Sequence, residues 1–157
     1  MKLDIRYYPQ HEDYSCGPVS LRMVFEHLGR KYSEKKMISL CKALPKTGTS
    51  HKRMIDEVKN EGFTFIAGNN KSIADITKFL DAGYPVIVNY FNPLVKKGHY
   101  SVVEGYDKDE KVLMLADPAN GQDYTLSWNE FNKLWTNYKK TSKHWMLVVG
   151  REEVPFT

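Results

Sequence analysis

Apolar residues recur at helical spacing through the first half of the chain and crowd into short runs through the second. Leu21, Val24, Phe25 and Leu28 fall at intervals of three and four, which predicts a helix from about Cys16 to Leu28 that Gly29 ends at C′. Met37, Ile38, Cys41 and Leu44 predict a second helix, from the N-cap Ser33 to the stop at Pro45. A third starts at Ser50, turns Met54, Ile55 and Val58 inward and ends at Gly62. Ser72 and Asp75 read as a capping box with Asp in the place of Glu. The helix it opens carries Ile76, Phe79 and Leu80 and stops at Gly83.

Beyond Gly83 the pattern changes. Pro85 to Tyr90 and Tyr100 to Val103 are short β-branched runs. Lys111 to Ala116 follows a charged turn at Asp107-Lys108-Asp109-Glu110, and Tyr124 to Leu126 reads as a further strand. Ser127 and Glu130 form a second capping box, opening a short helix through Trp135, and Trp145 to Val149 closes the pattern as a strand. Helices first and mostly sequential strands afterwards predict an α+β fold with an antiparallel sheet. No repeat or Pro/Gly/Ser-rich linker divides the chain, so one domain is expected over residues 1–157. Glu152 to Thr157 reads as a loose tail.

Composition narrows the class. With 41% hydrophobic and 27% charged residues over 157 positions, the chain reads as a globular domain able to bury a real core. A net charge of +4 without a dense basic patch does not call for nucleic acid, and Lys133, Lys139, Lys140 and Lys143 read as a solvated face. No apolar run is long enough to cross a membrane, and the charged start Met1-Lys2-Leu3-Asp4-Ile5-Arg6 does not read as a signal peptide, so a cytoplasmic location is expected. Two cysteines make no disulfide framework and suit a reducing compartment. Metal-ligand spacing and a glycine-rich phosphate loop are both missing, so no cofactor is expected. Trp128, Trp135 and Trp145 are expected in or near the core.

Four positions change the picture from packing to chemistry. Cys16 sits at the start of a predicted helix, where partial positive charge favours a thiolate, although a lone cysteine is equally well a small buried hydrophobe. Gly17 gives room beside it, and Pro18 suits a first helical turn. Cys41, at helical spacing among apolar neighbours, reads as inert core. His99 opens a predicted strand in Gly98-His99-Tyr100-Ser101-Val102-Val103 and is placed to act as a base, with His11 in reserve. Asp117, before Pro118 at the end of the adjoining strand, reads either as a turn starter or as the acceptor that orients an imidazole; Asp107 is the less favoured alternative. Gln10, six positions before Cys16, is a loop glutamine or a second donor to an oxyanion.

Together, Gln10 spaced to Cys16-Gly17-Pro18, then Gly98-His-Tyr-Ser-Val-Val103, then Asp117-Pro118, resemble the double-glycine leader peptidases. These are papain-like cysteine peptidase domains that process bacteriocin precursors, with stand-alone relatives. The resemblance implies a papain-like fold, with the nucleophile on a central helix packed against an antiparallel sheet. It also implies Cys16 as nucleophile, His99 as base, Asp117 as orienter and Gln10 as oxyanion donor, with a peptide or protein as substrate. Ser15 stands where transporter-linked members carry Asp, and no transporter sequence follows Arg151; both features look like the stand-alone branch. Gly48-Thr49-Ser50 resembles a loop of those relatives, though by its residues it is a flexible turn and an N-cap. The same chemistry would serve a deamidase, transglutaminase or acyltransferase, and a non-catalytic peptide-binding domain is the remaining alternative.

Overall fold

The computed structural model describes residues 1–93 and 95–155. Among them run α1 (Cys16–His27), α2 (Glu34–Cys41), α3 (His51–Asn60), β1 (Thr64–Gly68), α4 (Ile73–Asp81), β2 (Val86–Asn92), β3 (Lys97–Asp107), β4 (Val112–Asp117), β5 (Gly121–Ser127), α5 (Trp128–Leu134) and β6 (Met146–Gly150). The strands form one antiparallel sheet in the order β1-β6-β2-β3-β4-β5.

Helices α1, α2 and α3 cover one face of the sheet. Val19, Leu21, Phe25, Met37 and Met54 pack there on Ile87, Val102, Ala116, Leu147 and Val149. Helices α4 and α5 cover the other, where Ile76, Phe79, Leu80 and Phe131 meet Val86, Val88, Val103, Leu115 and Val148. Adjacent residues of β2 and β6 therefore point into different cores, which explains why both strands are continuous apolar runs rather than alternating ones.

The helix limits follow the caps. Ser33, Ser50, Ser72 and Ser127 each accept a hydrogen bond from the backbone N–H three residues on, and at Ser72 the Asp75 carboxylate completes the box. Helix α2 stops earlier than the expected Pro45: Lys42 turns left-handed at φ 53° and leaves Leu44 exposed in a small bridge with Gly48. Strand β1 was not expected. It pairs with β6, whose sequence lies over 70 residues away, so local pattern carries no sign of the partner. The tail is not loose at its start, since Val154 is 2% exposed in the second core and Thr64 donates to the carbonyl of Glu152. Phe156 and Thr157 of that tail lie outside the described residues.

The amino-terminal segment adds a short edge to β3. Leu3 N–H donates to Glu104 O at 2.7 Å, and a Cβ on Gly105 would meet Met1 O at 2.5 Å, so this approach requires glycine. A register shift between Val103 and Gly105 leaves the Glu104 side chain wholly buried. Burial first, and the neighbouring Asp123 second, push its carboxyl up to about 7. An unfolded glutamate titrates near 4.3. Between these values the unfolded chain has lost a proton that the folded chain keeps, so this group costs stability as pH rises through the window. Glu104→Gln is expected to raise the melting temperature at pH 8 by about 2–4 °C, roughly 1 kcal/mol, and to change it little at pH 4. Thermal melts at both pH values check this.

Candidate active site

Helix α1 is the one described helix without a side-chain cap. The reason lies in three residues. A capping serine bonds the N–H of the third helical residue, and here that residue is Pro18, which has none. The Ser15 hydroxyl turns away instead, with its one proton shared between Glu34 Oε2 at 2.7 Å and Glu12 O at 2.9 Å. No acidic residue follows in the first turn. Cys16 thus opens a helix whose positive end is not neutralised by its own side chains.

The loop before Cys16 is held by Glu34, the first residue of α2. Its carboxylate accepts from the His11 backbone N–H at 2.8 Å and lies 2.6 Å from His11 Nδ1. Burial works against the charge, but the His11 N–H and the Ser15 hydroxyl hold the carboxyl below its ordinary value. His11 is thereby occupied, and its side chain is 74% exposed; it is not placed as the reserve base.

His99 and Asp117 meet in the interior. His99 Nε2 lies 2.8 Å from Asp117 Oδ1, with the two side chains 9% and 0% exposed. Asp117 stands just after a second register shift, between Leu115 and Asp117 in the β4–β5 ladder. Its Oδ1 also accepts from the backbone N–H of Ala119 at 3.0 Å and of Asn120 at 2.9 Å. Oδ2 accepts from the Tyr90 hydroxyl at 2.7 Å. Asp117 thus starts the Asp-Pro turn and also faces the imidazole. Tyr90 pairs with His99 across the β2–β3 ladder and touches its ring edge-on at 5.4 Å.

The Cys16 thiol lies close enough to the imidazole and to the Tyr100 backbone N–H for both to act on its charge. Protonation follows from these contacts. Burial pushes the thiol up, but the hydrogen bond and charge of His99 outweigh it and hold Cys16 below its usual value. Burial lowers His99, yet Asp117 and Cys16 carry it up to about 10. Burial raises Asp117, and the donors on its oxygens, His99 foremost, bring it down to about 2. These shifts all favour a thiolate and an imidazolium beside a carboxylate. By contrast Cys41, 1% exposed in the core, is pushed up to about 12 by burial and then by Glu57.

Gln10 arrives with the segment that crosses the end of β4. Its N–H donates to Pro118 O at 2.9 Å, and the Tyr7 hydroxyl donates to Asp117 O at 2.7 Å. Its side-chain Nε2 donates to Glu12 O at 2.7 Å, leaving one further N–H, while Oε1 is buried without a partner. A groove of about 410 Å³ opens here, lined by Gln10, Glu12, Asp13, Pro118, Asn120 and Gly121 among others. Gly17 serves differently from the expected opening for a ligand. It is buried, and a Cβ there would press Met54 Sδ and Tyr100 Cδ2 at 3.1 Å. Asp107 is used locally, accepting from Asp109 and Glu110 N–H in its own turn. Glu34 and Tyr90 were not foreseen. Tyr90 had one signal, its register opposite His99 in the hairpin; Glu34 had none.

The chain is similar to known proteins over most of its length. The chain is 33% identical over 143 residues to the transport/processing ATP-binding protein ComA of Streptococcus pneumoniae; the match takes in 87% of this chain and 18% of that protein. It is 29% identical over 144 residues to an uncharacterized protein of Methanothermobacter marburgensis, covering 92% of this chain and 87% of the other. Among solved structures, the peptidase domain of Streptococcus ComA superposes with a TM-score of 0.75 at 25% identity, covering 94% and 98% of the two chains. A C39-like peptidase of Bacillus anthracis gives 0.79 at 16% identity, covering 98% and 99%, a likeness of fold. The expected helix-on-antiparallel-sheet fold is thus that of the C39 peptidase structures. The model of the Peptidase_C39 like family matches residues 2–143, and the chain belongs to that family.

Proposed function

We propose that residues 1–157 act as one thiol-dependent peptidase domain. Cys16 is its nucleophile, His99 its acid and base, Asp117 the orienter of the imidazole, and Gln10 a donor to the oxyanion. One observation carries the reading. Asp117 holds His99 at 2.8 Å, and His99 in turn holds a thiol at the uncapped start of α1.

The thiolate attacks a peptide carbonyl carbon and forms the C–S bond. The developing oxyanion is met by backbone N–H groups of the first turn of α1 and by the second N–H of Gln10 Nε2. His99 gives its proton to the leaving nitrogen as the C–N bond breaks, leaving a thioester. Water attacks the thioester, its proton passes to His99, and the acid and thiolate separate. The substrate is a peptide or protein. A double-glycine motif protease that shares this fold has been crystallised in complex with its leader peptide. The two free cysteines suit work in a reducing compartment such as the cytoplasm.

Alkylation tests the ion pair without knowledge of the substrate. At pH 6, Cys16 is expected to react with iodoacetamide about 100-fold or more faster than Cys41, read by peptide mass, because only a thiolate attacks. Turnover of a peptide library is expected to hold a plateau across neutral pH. It falls on the acid side as the thiolate takes a proton, and on the alkaline side as His99 loses its proton toward about 10. Equal and slow labelling of both cysteines would overturn the reading.

A further inference from the structure

Beside the catalytic line, α3 begins with a residue that no step above uses. His51, half-buried, lies with its ring parallel to Trp145, 3.9 Å between centroids at 8°. Its Nδ1 is 2.6 Å from the Tyr100 hydroxyl. Tyr100 in turn meets Trp145 edge-on at 5.9 Å and is 5% exposed. Three elements from distant parts of the chain, α3, β3 and the start of β6, are joined in one aromatic cluster.

The protonation of the pair is defined. Burial pushes His51 down to about 4, so the imidazole is neutral. Burial raises Tyr100 well above its ordinary value, and the charge of Cys16, then Cys41, adds to this. The hydroxyl therefore donates and Nδ1 accepts, with the ring proton on Nε2. This bond fixes a side chain that stands directly against the nucleophile. The Tyr100 ring comes within 3.1 Å of where a Cβ on Gly17, the residue after the nucleophile, would lie, and the Tyr100 backbone N–H is among the groups that hold the thiol down. The β3–β4 ladder ends at Val102–Ala116, so Tyr100 lies beyond its last pair.

We propose that His51 is a positioning residue for the nucleophile: by accepting the Tyr100 hydroxyl and stacking on Trp145, it seats the Tyr100 ring under Gly17 and so holds the Cys16 sulfur in line with the Tyr100 N–H and with His99. The proposal rests on the peptidase reading of the same site. It makes the α3 start a part of the thiolate's support, in addition to the His99–Asp117 pair. His51 touches neither the sulfur nor a substrate; it acts through Tyr100.

The test is the pH profile of Cys16 alkylation by iodoacetamide, with thermal melts, in the parent and four variants. His51→Phe keeps a ring on Trp145 and removes the acceptor. Tyr100→Phe removes the donor. The double variant removes both, and His51→Asn restores an acceptor without the stack. Each single Phe variant is expected to slow alkylation at pH 6 by about tenfold, the effect of one unit on the thiol, with the rate at pH 10 unchanged. The double variant should be no slower than either single one, because both remove the same bond. His51→Asn should recover part of the loss. A folded His51→Phe protein with the parent profile overturns the proposal, as do two losses that simply add. If His51→Phe does not melt cooperatively, Tyr100→Phe, which deletes one oxygen, decides by the same criterion. A parent protein whose Cys16 is not reactive at pH 6 would sink the peptidase reading itself. A reactive parent with unmoved variants would sink only the role of His51.

Discussion

Cys16→Ala is expected to abolish peptide hydrolysis, with a fall in kcat of about 10⁴–10⁶, and to leave substrate binding intact. The sulfur is the atom that forms the acyl bond, and no second nucleophile stands in the line: His99 is held as an imidazolium and the Tyr90 hydroxyl is committed to Asp117. Cys16→Ser should be as inactive, because a serine hydroxyl is far too weak an acid to pass its proton to this imidazole at rest. The protein stays folded, since Cys16 is only partly buried and its loss opens little space. Cys41→Ala provides the contrast. Cys41 is 1% exposed at the end of α2 and lies in the core beneath α1, α2 and α3, so that variant is expected to keep turnover and lose stability by about 1 kcal/mol or more. Hydrolysis of a peptide library followed by mass, together with binding of the same peptides to Cys16→Ala, checks both halves. Residual turnover of even a few per cent in Cys16→Ala would place the nucleophile elsewhere.

What the chain discloses before folding depends on how local the cause is. Caps are local, and every serine cap expected, at 33, 50, 72 and 127, is present. The missing cap on α1 is equally local, because Pro18 stands where the capped N–H would be. Cys16 opens α1, Asp117 ends β4 and His99 lies near the start of β3, so their local settings are legible, and His99 Nε2 meets Asp117 Oδ1 at 2.8 Å. Strand β1 was not recognisable: Thr64–Gly68 is short, and it pairs with β6 at the far end of the chain. Strand length is set by neighbours rather than by local pattern. Strand β3 extends from the expected Tyr100–Val103 to Lys97–Asp107 because β2 and β4 pair along it. The same limit hides Glu34, Tyr90 and His51. Each is an ordinary residue in an ordinary element, and its use lies wholly in a long-range contact.

Asp117 is where removal and neutralisation should part most clearly. Asp117→Ala is expected to lower stability by about 3–5 kcal/mol, because it strands a buried cation, and the melting temperature by about 10 °C. The contacts explain the size. Four donors end on this carboxylate, from His99, Ala119, Asn120 and Tyr90, and Asp117 itself has no exposed surface. With the imidazole unheld, kcat should drop by about 10³–10⁴. Asp117→Asn is a different experiment. Three of the four donors converge on Oδ1 and one on Oδ2, so an amide has one favourable orientation: oxygen at Oδ1, nitrogen facing the Tyr90 oxygen, whose proton can turn away. The fold survives, and His99 still donates from Nε2, which keeps its other nitrogen toward the thiol. What is lost is charge. His99 falls from about 10 toward its ordinary value, and the thiol rises with it. The stability that the lowered Asp117 supplies above its unfolded pKa, and loses as pH falls toward 2, goes too. Alkylation of Cys16 in Asp117→Asn at pH 6 should slow by about 10–100-fold, one to two units on the thiol, while the rate at pH 10 approaches that of the parent. Melting curves and alkylation rates on the parent and the two variants check this. An Asn variant with the parent's acid reactivity would show that Asp117 acts by geometry alone and contributes nothing through its charge.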